Sequence, residues 1–451
     1  MKEKDVSSNS RKGTGVNRRD FLKRSTMAAV GAVGLPYFVP SSALGKAGNV
    51  APSERIVMGC LGVGSQGTGN MKGFLSNKEL QIVAVCDVDK NHRLNAKDII
   101  DGSYGNKDCK DYNDFRDLME HKGLDCLSIA LPDHWHAIPA IYAAQKGLDM
   151  YAEKPLSLTI HEGQAMVNAV HRYNVVWQTG SWQRSEKHFQ KGCELVRNGR
   201  IGEVHTVRVG LPTGSPIAPQ PEMPVPDGFD YDMWLGPAPW APYTKERCHW
   251  NFRWILDYSG GQLTDWAAHH CDIANWGMGT EETGPVAVQA RGQFPRDGLW
   301  DAATDYLLEC TFAPGASPLA PNGFTMFVSN LFPMGTKFIG TKGTVFVDRG
   351  NVLETEPASL KDSEIGANEV KLGKGDKNHA RNFIECIRTR EKTIAPIHAA
   401  HRAISIAHLG NISMRLGKKV FWDPAKEQFV NDPVADRMLM RAMRAPWTLP
   451  S

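Results

Sequence analysis

Beyond residue 54, apolar residues fall in short runs separated by amphipathic stretches, and this spacing predicts alternating strands and helices. An apolar run at 55–61 ends in Gly62-x-Gly64-x-x-Gly67, a helical stretch reaches Leu75, and a second apolar run at 80–86 closes on Asp87. Amphipathic stretches follow at 91–100 and 112–120, then a strand at 125–131, a helix at 137–146 and a strand at 149–152. Residues 175–184 read as the last strand of the series. A helix at 186–198 then stops at Gly199. Strands alternating with helices of this length predict a parallel, doubly wound sheet.

Near residue 200 the period changes. Residues 203–211, 286–294, 305–312, 324–331 and 337–347 alternate apolar and polar, as strands of a mixed or mainly antiparallel open sheet do. The Pro-rich stretch 212–242 reads as a long surface loop, either a lid or an oligomer contact. Residues 378–389 and 399–416 read as amphipathic helices able to cover the first sheet and rejoin the two domains. The expected organisation is a leader (1–45), a dinucleotide-binding α/β domain (54–200), a second α/β domain (201–375) and C-terminal helices with a tail that return to the first domain (376–451). A chain of 451 residues, 41% hydrophobic, can bury two such cores.

The order strand, glycine turn, helix, strand, acid carries chemistry. Glycine lets the chain turn tightly at Gly62, Gly64 and Gly67, and backbone N–H groups around Ser65 and Gln66 can then approach a pyrophosphate at the helix N-terminus. Asp87, 20 positions after Gly67, can accept both ribose hydroxyls and would repel a 2′-phosphate. NAD is therefore expected ahead of NADP, with Lys90 or Arg93 left as groups that could reach a phosphate.

Charge changes the picture only at the start. The first 24 residues hold eight Lys/Arg against three Asp/Glu, so the formal +3 of the whole chain, less this +5, leaves −2 for the body. A near-neutral body gives no support for a nucleic-acid footprint. Asn17-Arg18-Arg19-Asp20-Phe21-Leu22-Lys23, a short Gly/Ala-rich apolar run and Ser41-Ser42-Ala43-Leu44-Gly45 look like a twin-arginine export signal, read by the twin-arginine machinery and cleaved after Gly45 or retained as an anchor. The expected location is periplasmic. The nine cysteines are scattered and read as small core residues, which a protein exported already folded does not need to pair.

Glu153-Lys154-Pro155 stands after the strand at 149–152. A lysine at the carboxyl end of such a strand lies in the crevice where ligands of open parallel sheets bind, unless it is simply a solvated lysine. His134-Trp135-His136, at the end of the preceding strand, lacks the thiolates or carboxylates of a metal site; it faces the nicotinamide half of a cofactor or caps the next helix. In Gly260-Gly261-Gln262-Leu263-Thr264-Asp265-Trp266-Ala267-Ala268-His269, Asp265 and His269 stand four apart on one helix face. A carboxylate so placed can orient an imidazole for proton transfer, or the two form an ordinary i,i+4 polar pair. Asp272 continues that face as a structural residue.

Taken together, the glycine fingerprint, Leu131-Pro132 with His136, Glu153-Lys154-Pro155, Asn198-Gly199-x-Ile201-Gly202 and Asp265 with His269 resemble the Gfo/Idh/MocA family of oxidoreductases. The resemblance covers nearly all of the chain after residue 53. It implies a Rossmann domain joined to a C-terminal α/β domain whose open sheet mediates dimers or tetramers, and NAD(P)-dependent chemistry on a carbohydrate or cyclitol. It further implies that Lys154 bonds the reacting oxygen, His269 exchanges its proton, Asp265 holds His269 or the substrate, and Pro132, Trp135, His136 and Glu153 lie along the cofactor. Gln183-Arg184 stands where the family often has Arg-Arg, a position facing the sugar. Export implies a tightly bound cofactor. An exported sugar oxidoreductase is expected first, a glycosidase working by transient oxidation, elimination and hydration second, and a non-catalytic NAD-binding protein third.

Overall fold

The computed structural model describes residues 51–373 and 378–450, so the export motif lies outside the described residues. Strands β1 (Ile56–Leu61), β2 (Leu80–Cys86), β3 (Lys110–Tyr112), β4 (Cys126–Ile129), β5 (Asp149–Ala152) and β6 (Trp177–Thr179) form one parallel sheet in the order β3-β2-β1-β4-β5-β6. Between them run α1 (Ser65–Leu75), α2 (Lys90–Tyr104), α3 (Phe115–Met119), α4 (Ala137–Gln145) and α5 (Ile160–Arg172). Every residue of β4 and β5 is buried, as expected for strands covered by helices on both faces. Local signals fix the helix ends. Asp89 accepts from Asn91 N–H to start α2, Gly105 ends it in the left-handed conformation, and Thr159 with Glu162 forms a capping box on α5. Strand order reverses at β1/β4, where the loops diverge and open a crevice at the carboxyl ends.

Helix α6 (Lys187–Arg197) leads into the second sheet. Its strands are β7 (Val204–Gly210), β8 (Ala287–Gln293), β9 (Asp305–Phe312), β10 (Phe324–Ser329), β11 (Gly335–Gly340), β12 (Gly343–Asp348), β13 (Val352–Glu356), β14 (Val420–Asp423) and β15 (Gln428–Phe429), in the order β13-β12-β11-β7-β10-β9-β8-β14-β15. In this sheet, among the described residues, only β7 and β10 pair in parallel. Along β9, Tyr306, Leu308, Cys310 and Phe312 face the core while their neighbours face outward, the alternation of a sheet covered on one side. Helix α7 (Tyr231–Leu235) lies in the Pro-rich insertion, and α8 (Gly261–Met278) packs on the covered face so closely that a Cβ at Gly277 would sit 2.4 Å from the Phe338 ring. The expected fold class is the observed one.

Two C-terminal helices return to both sheets. On α9 (His379–Thr389), Phe383 meets Phe74 of α1 and Tyr151 of β5 edge-on; α10 (Ile397–Leu416) packs against α8, β8 and α5.

Three local expectations are corrected. Residues 337–347 are a hairpin, β11 and β12, because the chain reverses at Thr341-Lys342 between paired Gly340 and Gly343. The stretch 112–120 divides into the end of edge strand β3 and the short α3. The later part of 212–242 is no surface loop: Phe229, Tyr231, Trp234 and Leu235 are buried in an aromatic cluster with Tyr243, Phe252 and Tyr258, since that much apolar ring surface is too costly to leave in water.

Candidate active site

A cavity of about 870 Å³ opens at the carboxyl ends of β1, β2, β4, β5 and β6 and runs to the N-terminal half of α8. Its wall at the β1–α1 turn is backbone. Gly62 has φ +76°, and a Cβ there would lie 2.2 Å from Ala130 O; a Cβ at Gly67 would lie 1.9 Å from Gly62 O. Gly64, by contrast, would meet only the His92 ring at 3.5 Å, so the protein itself leaves that position clear. Gly64 is also the N-cap of α1 and provides no side-chain cap, which leaves the first N–H groups of the helix beside Ser65 and Gln66 to an anion. Asp87 lines the same end, held by N–H groups of Val63 (2.8 Å) and Asp89 (2.9 Å). Together these fit a dinucleotide with its pyrophosphate on α1 and its adenosine ribose on Asp87.

At the other end, Lys154 extends from β5 and places Nζ 2.7 Å from Asp265 Oδ1 on α8. Arg253 Nε stands 3.5 Å from the same oxygen. Burial alone would raise the Asp265 carboxyl, but the attraction of Lys154 and Arg253 outweighs it and holds the group below the usual range. His269, one turn along α8, lines the cavity, and its Nδ1 has no hydrogen-bond partner among the described residues. Burial, then the charges of Lys154 and Arg349, push its pKa well below 6.5, so the imidazole is neutral and can accept a proton. Glu153 turns toward α1 and accepts from Gln66 (3.1 Å) and Asn70 (2.9 Å), linking the strand end to the glycine-turn helix. Pro132 and Trp135 line the wall, the Trp135 indole donating to Trp234 O at 2.9 Å.

Three expected contacts are corrected. Asp265 does not orient His269; its Oδ1 faces two cations, which attract a carboxylate more strongly than a neutral ring does. His136 does not lie along the cofactor. Its ring bridges Leu131 O (2.7 Å) and Pro155 O (2.6 Å) and ties the loop after β4 to the one behind Lys154. Gln183 and Arg184 do not face the cavity. The turn after β6 carries them inward, and Arg184, 1% exposed, donates to Asp272 twice at 2.7 Å, to Glu281 at 2.7 Å and to Ile394 O at 3.1 Å. Asp272 is structural, as expected.

Other cavity groups went unread in the sequence. Trp182, next to Gln183, faces the cavity in its place. Asp133 accepts from Ser259 at 2.6 Å, and burial, only partly offset by that bond, raises its carboxyl to about 7. The insertion supplies Phe229, Trp234, His249, Trp250 and Arg253. Trp234, Trp240, Trp250 and Trp254 place four of the chain's 12 tryptophans within 21 residues, a density that could have marked this segment as more than a loop. At the adenosine end, His92 and His249 stack edge-on at 5.2 Å beside Asp87 and Asp89.

Comparison with known proteins adds a lineage. Residues 56–181 match the model of an oxidoreductase family's NAD-binding Rossmann fold, and residues 218–306 with 362–449 match that of the family's C-terminal alpha/beta domain. The chain is 25% identical to myo-inositol 2-dehydrogenase of Thermotoga maritima over 66% of its own length and 76% of the relative's. It is 27% identical to a glycosyl hydrolase family 109 protein of Shewanella pealeana over 44% and 43%. In fold it is similar to the WlbA dehydrogenase of Bordetella pertussis, solved with NADH and UDP-GlcNAcA, with a TM-score of 0.57 at 18% identity over 82% of this chain and 99% of that one.

Proposed function

The chain belongs to the Gfo/Idh/MocA family of oxidoreductases, and from that premise we propose that it oxidises a hydroxyl, or reduces a keto group, on a sugar or glycoside with NAD. The observation that carries this reading is that Lys154 and His269 line the same cavity as the glycine turn and Asp87. Bound nicotinamide supplies the hydride acceptor. Lys154 Nζ donates to Asp265 Oδ1 and, at 3.4 Å, to Asp265 O; its third donor can hold the substrate oxygen, favouring the alkoxide-like charge that develops as the proton leaves. His269, kept neutral, takes that proton. Asp265 aims Lys154.

NAD is favoured over NADP because Arg93 is already engaged with Asp111 at 3.0 Å and Asp87 O at 2.7 Å, leaving Asp87 to face the ribose. Tight retention is supported by the insertion. Lys90 N–H donates to Gly228 O (2.9 Å), Asp230 N–H to Val88 O (3.0 Å), and Asn113 to the Asp230 carboxylate (2.7 Å), so the segment straps the adenosine end. A retained cofactor suits the export that the leader suggests, and assembly into dimers or tetramers through the second sheet belongs to the same proposal.

Likeness to the glycosyl hydrolase family 109 protein favours a second reading, in which oxidation is transient and glycoside hydrolysis is the net reaction. The intact Glu153-Lys154-Pro155 ranks it second. Adding glycosides and free sugars to the NAD-loaded protein separates the two: lasting absorbance of reduced nicotinamide supports the oxidoreductase, and hydrolysis without net reduction supports the glycosidase. No response to any sugar would favour a non-catalytic NAD-binding protein.

A further inference from the structure

Three cations line the reacting end of the cavity, and they are not equally satisfied. Lys154 and Arg253 share Asp265. Arg349, just beyond β12, has no carboxylate within 4.0 Å of its guanidinium among the described residues, and its Nε is buried without a hydrogen-bond partner. The charges of Asp348 and Asp265 reach Arg349 but offset its burial only in part. Asp348 accepts from the Arg349 backbone N–H and stands 3.6 Å from His270; Glu153 is turned to the amides of α1, and Asp133 holds Ser259. A cation taken partly out of water with no carboxylate in contact is costly and needs a reason.

The guanidinium is nevertheless held firmly. Its Cζ lies over the rings of Trp182 and Trp266, 4.7 and 4.5 Å from their centroids, and the residue lines the cavity. A guanidinium so placed suits a carboxylate, which accepts two parallel N–H bonds in the guanidinium plane. Beside it, Trp182 and Trp250 remain 37% and 59% exposed at the cavity and offer apolar ring surface to the C–H face of a sugar.

We infer that the substrate is an acidic sugar, a hexuronic acid or its glycoside, whose carboxylate is gripped by the edge of Arg349 while its reacting hydroxyl lies on Lys154. This rests on the oxidoreductase reading above and adds the substrate class to it. It also gives a cation to each negative group: Lys154 to the developing alkoxide, Arg349 to the carboxylate.

The test uses NAD-loaded protein and two matched probe pairs, methyl β-D-glucoside with methyl β-D-glucuronide and methyl β-D-galactoside with methyl β-D-galacturonide, read by calorimetric affinity and by absorbance of reduced nicotinamide. In at least one pair the uronide binds about tenfold or more tighter than its neutral partner. In Arg349→Gln that ratio falls to about one, and Arg349→Lys keeps part of it; because the ratio is internal to each variant, general loss of folding does not imitate it. A ratio near one in the wild type, an equal loss for both members in Arg349→Gln, or no binding of any probe would overturn the inference. Turnover of neutral sugars with no preference for uronides overturns the substrate class and leaves the oxidoreductase reading standing. Arg349-dependent binding of a uronide without nicotinamide reduction does the reverse.

Discussion

Lys154 and Arg184 each leave the first sheet and meet an aspartate of α8, and those aspartates, Asp265 and Asp272, are seven positions apart on one helix. Their surroundings differ. Arg184 is 1% exposed and its donors are taken by Asp272, Glu281 and Ile394 O, with the ring of Trp276 at 5.0 Å beneath it. The Lys154–Asp265 pair keeps side-chain exposures of 15% and 12%, faces the cavity and shares its acid with Arg253. A saturated buried pair braces one domain against the other, because nothing further can bind it. An unsaturated pair at a cavity end keeps donors for a substrate.

The contrast can be broken from either side. Replacing the proton acceptor, His269→Gln, is expected to lower kcat by roughly 10²–10⁴-fold with NAD affinity retained, measured by steady-state rates and calorimetry. Arg184→Met should act on stability instead: it strands Asp272 and Glu281 and costs about 3–5 kcal/mol in denaturant unfolding, while the folded fraction keeps its turnover. The smallest effect is on pH dependence. Protonation removes the base, and His269 is held well below 6.5 by burial and by Lys154 and Arg349. The acid limb of kcat/KM therefore lies below the ordinary imidazole range, with a flat profile above it. In Lys154→Met the limb of the residual activity moves up, since one of the repelling cations is gone; an unmoved limb would separate Lys154 from His269 electrostatically.

Local signals made parts of both sheets legible. Gly62, Gly64, Gly67 and Asp87 are spaced as one strand-turn-helix-strand unit demands, and 305–312 alternates cleanly enough to give β9 its observed bounds. Elements whose packing depends on distant partners were not legible. β3 is a three-residue edge strand of half-buried and exposed residues, and the buried face of α5 includes Glu162 and Gly163 beside its apolar residues. The site divides the same way. Lys154 and His269 stand at places defined by their own element. The partner of Asp265 comes from 111 residues away, and Arg184 could be told from a substrate contact only through Asp272, 88 residues on. Spacing along one helix made Asp265 a partner for His269; three-dimensional charge pairing gave it to Lys154.

The central claim is that Lys154 acts on the substrate oxygen and does not hold the cofactor. Lys154→Met, with NAD affinity by calorimetry and turnover of a reactive sugar measured on the same sample, tests it most directly. The account predicts bound NAD with kcat reduced by roughly 10²–10³-fold, the range for removing one preorganised charge-stabilising donor. Unchanged kcat, or loss of NAD binding in parallel with turnover, would contradict it.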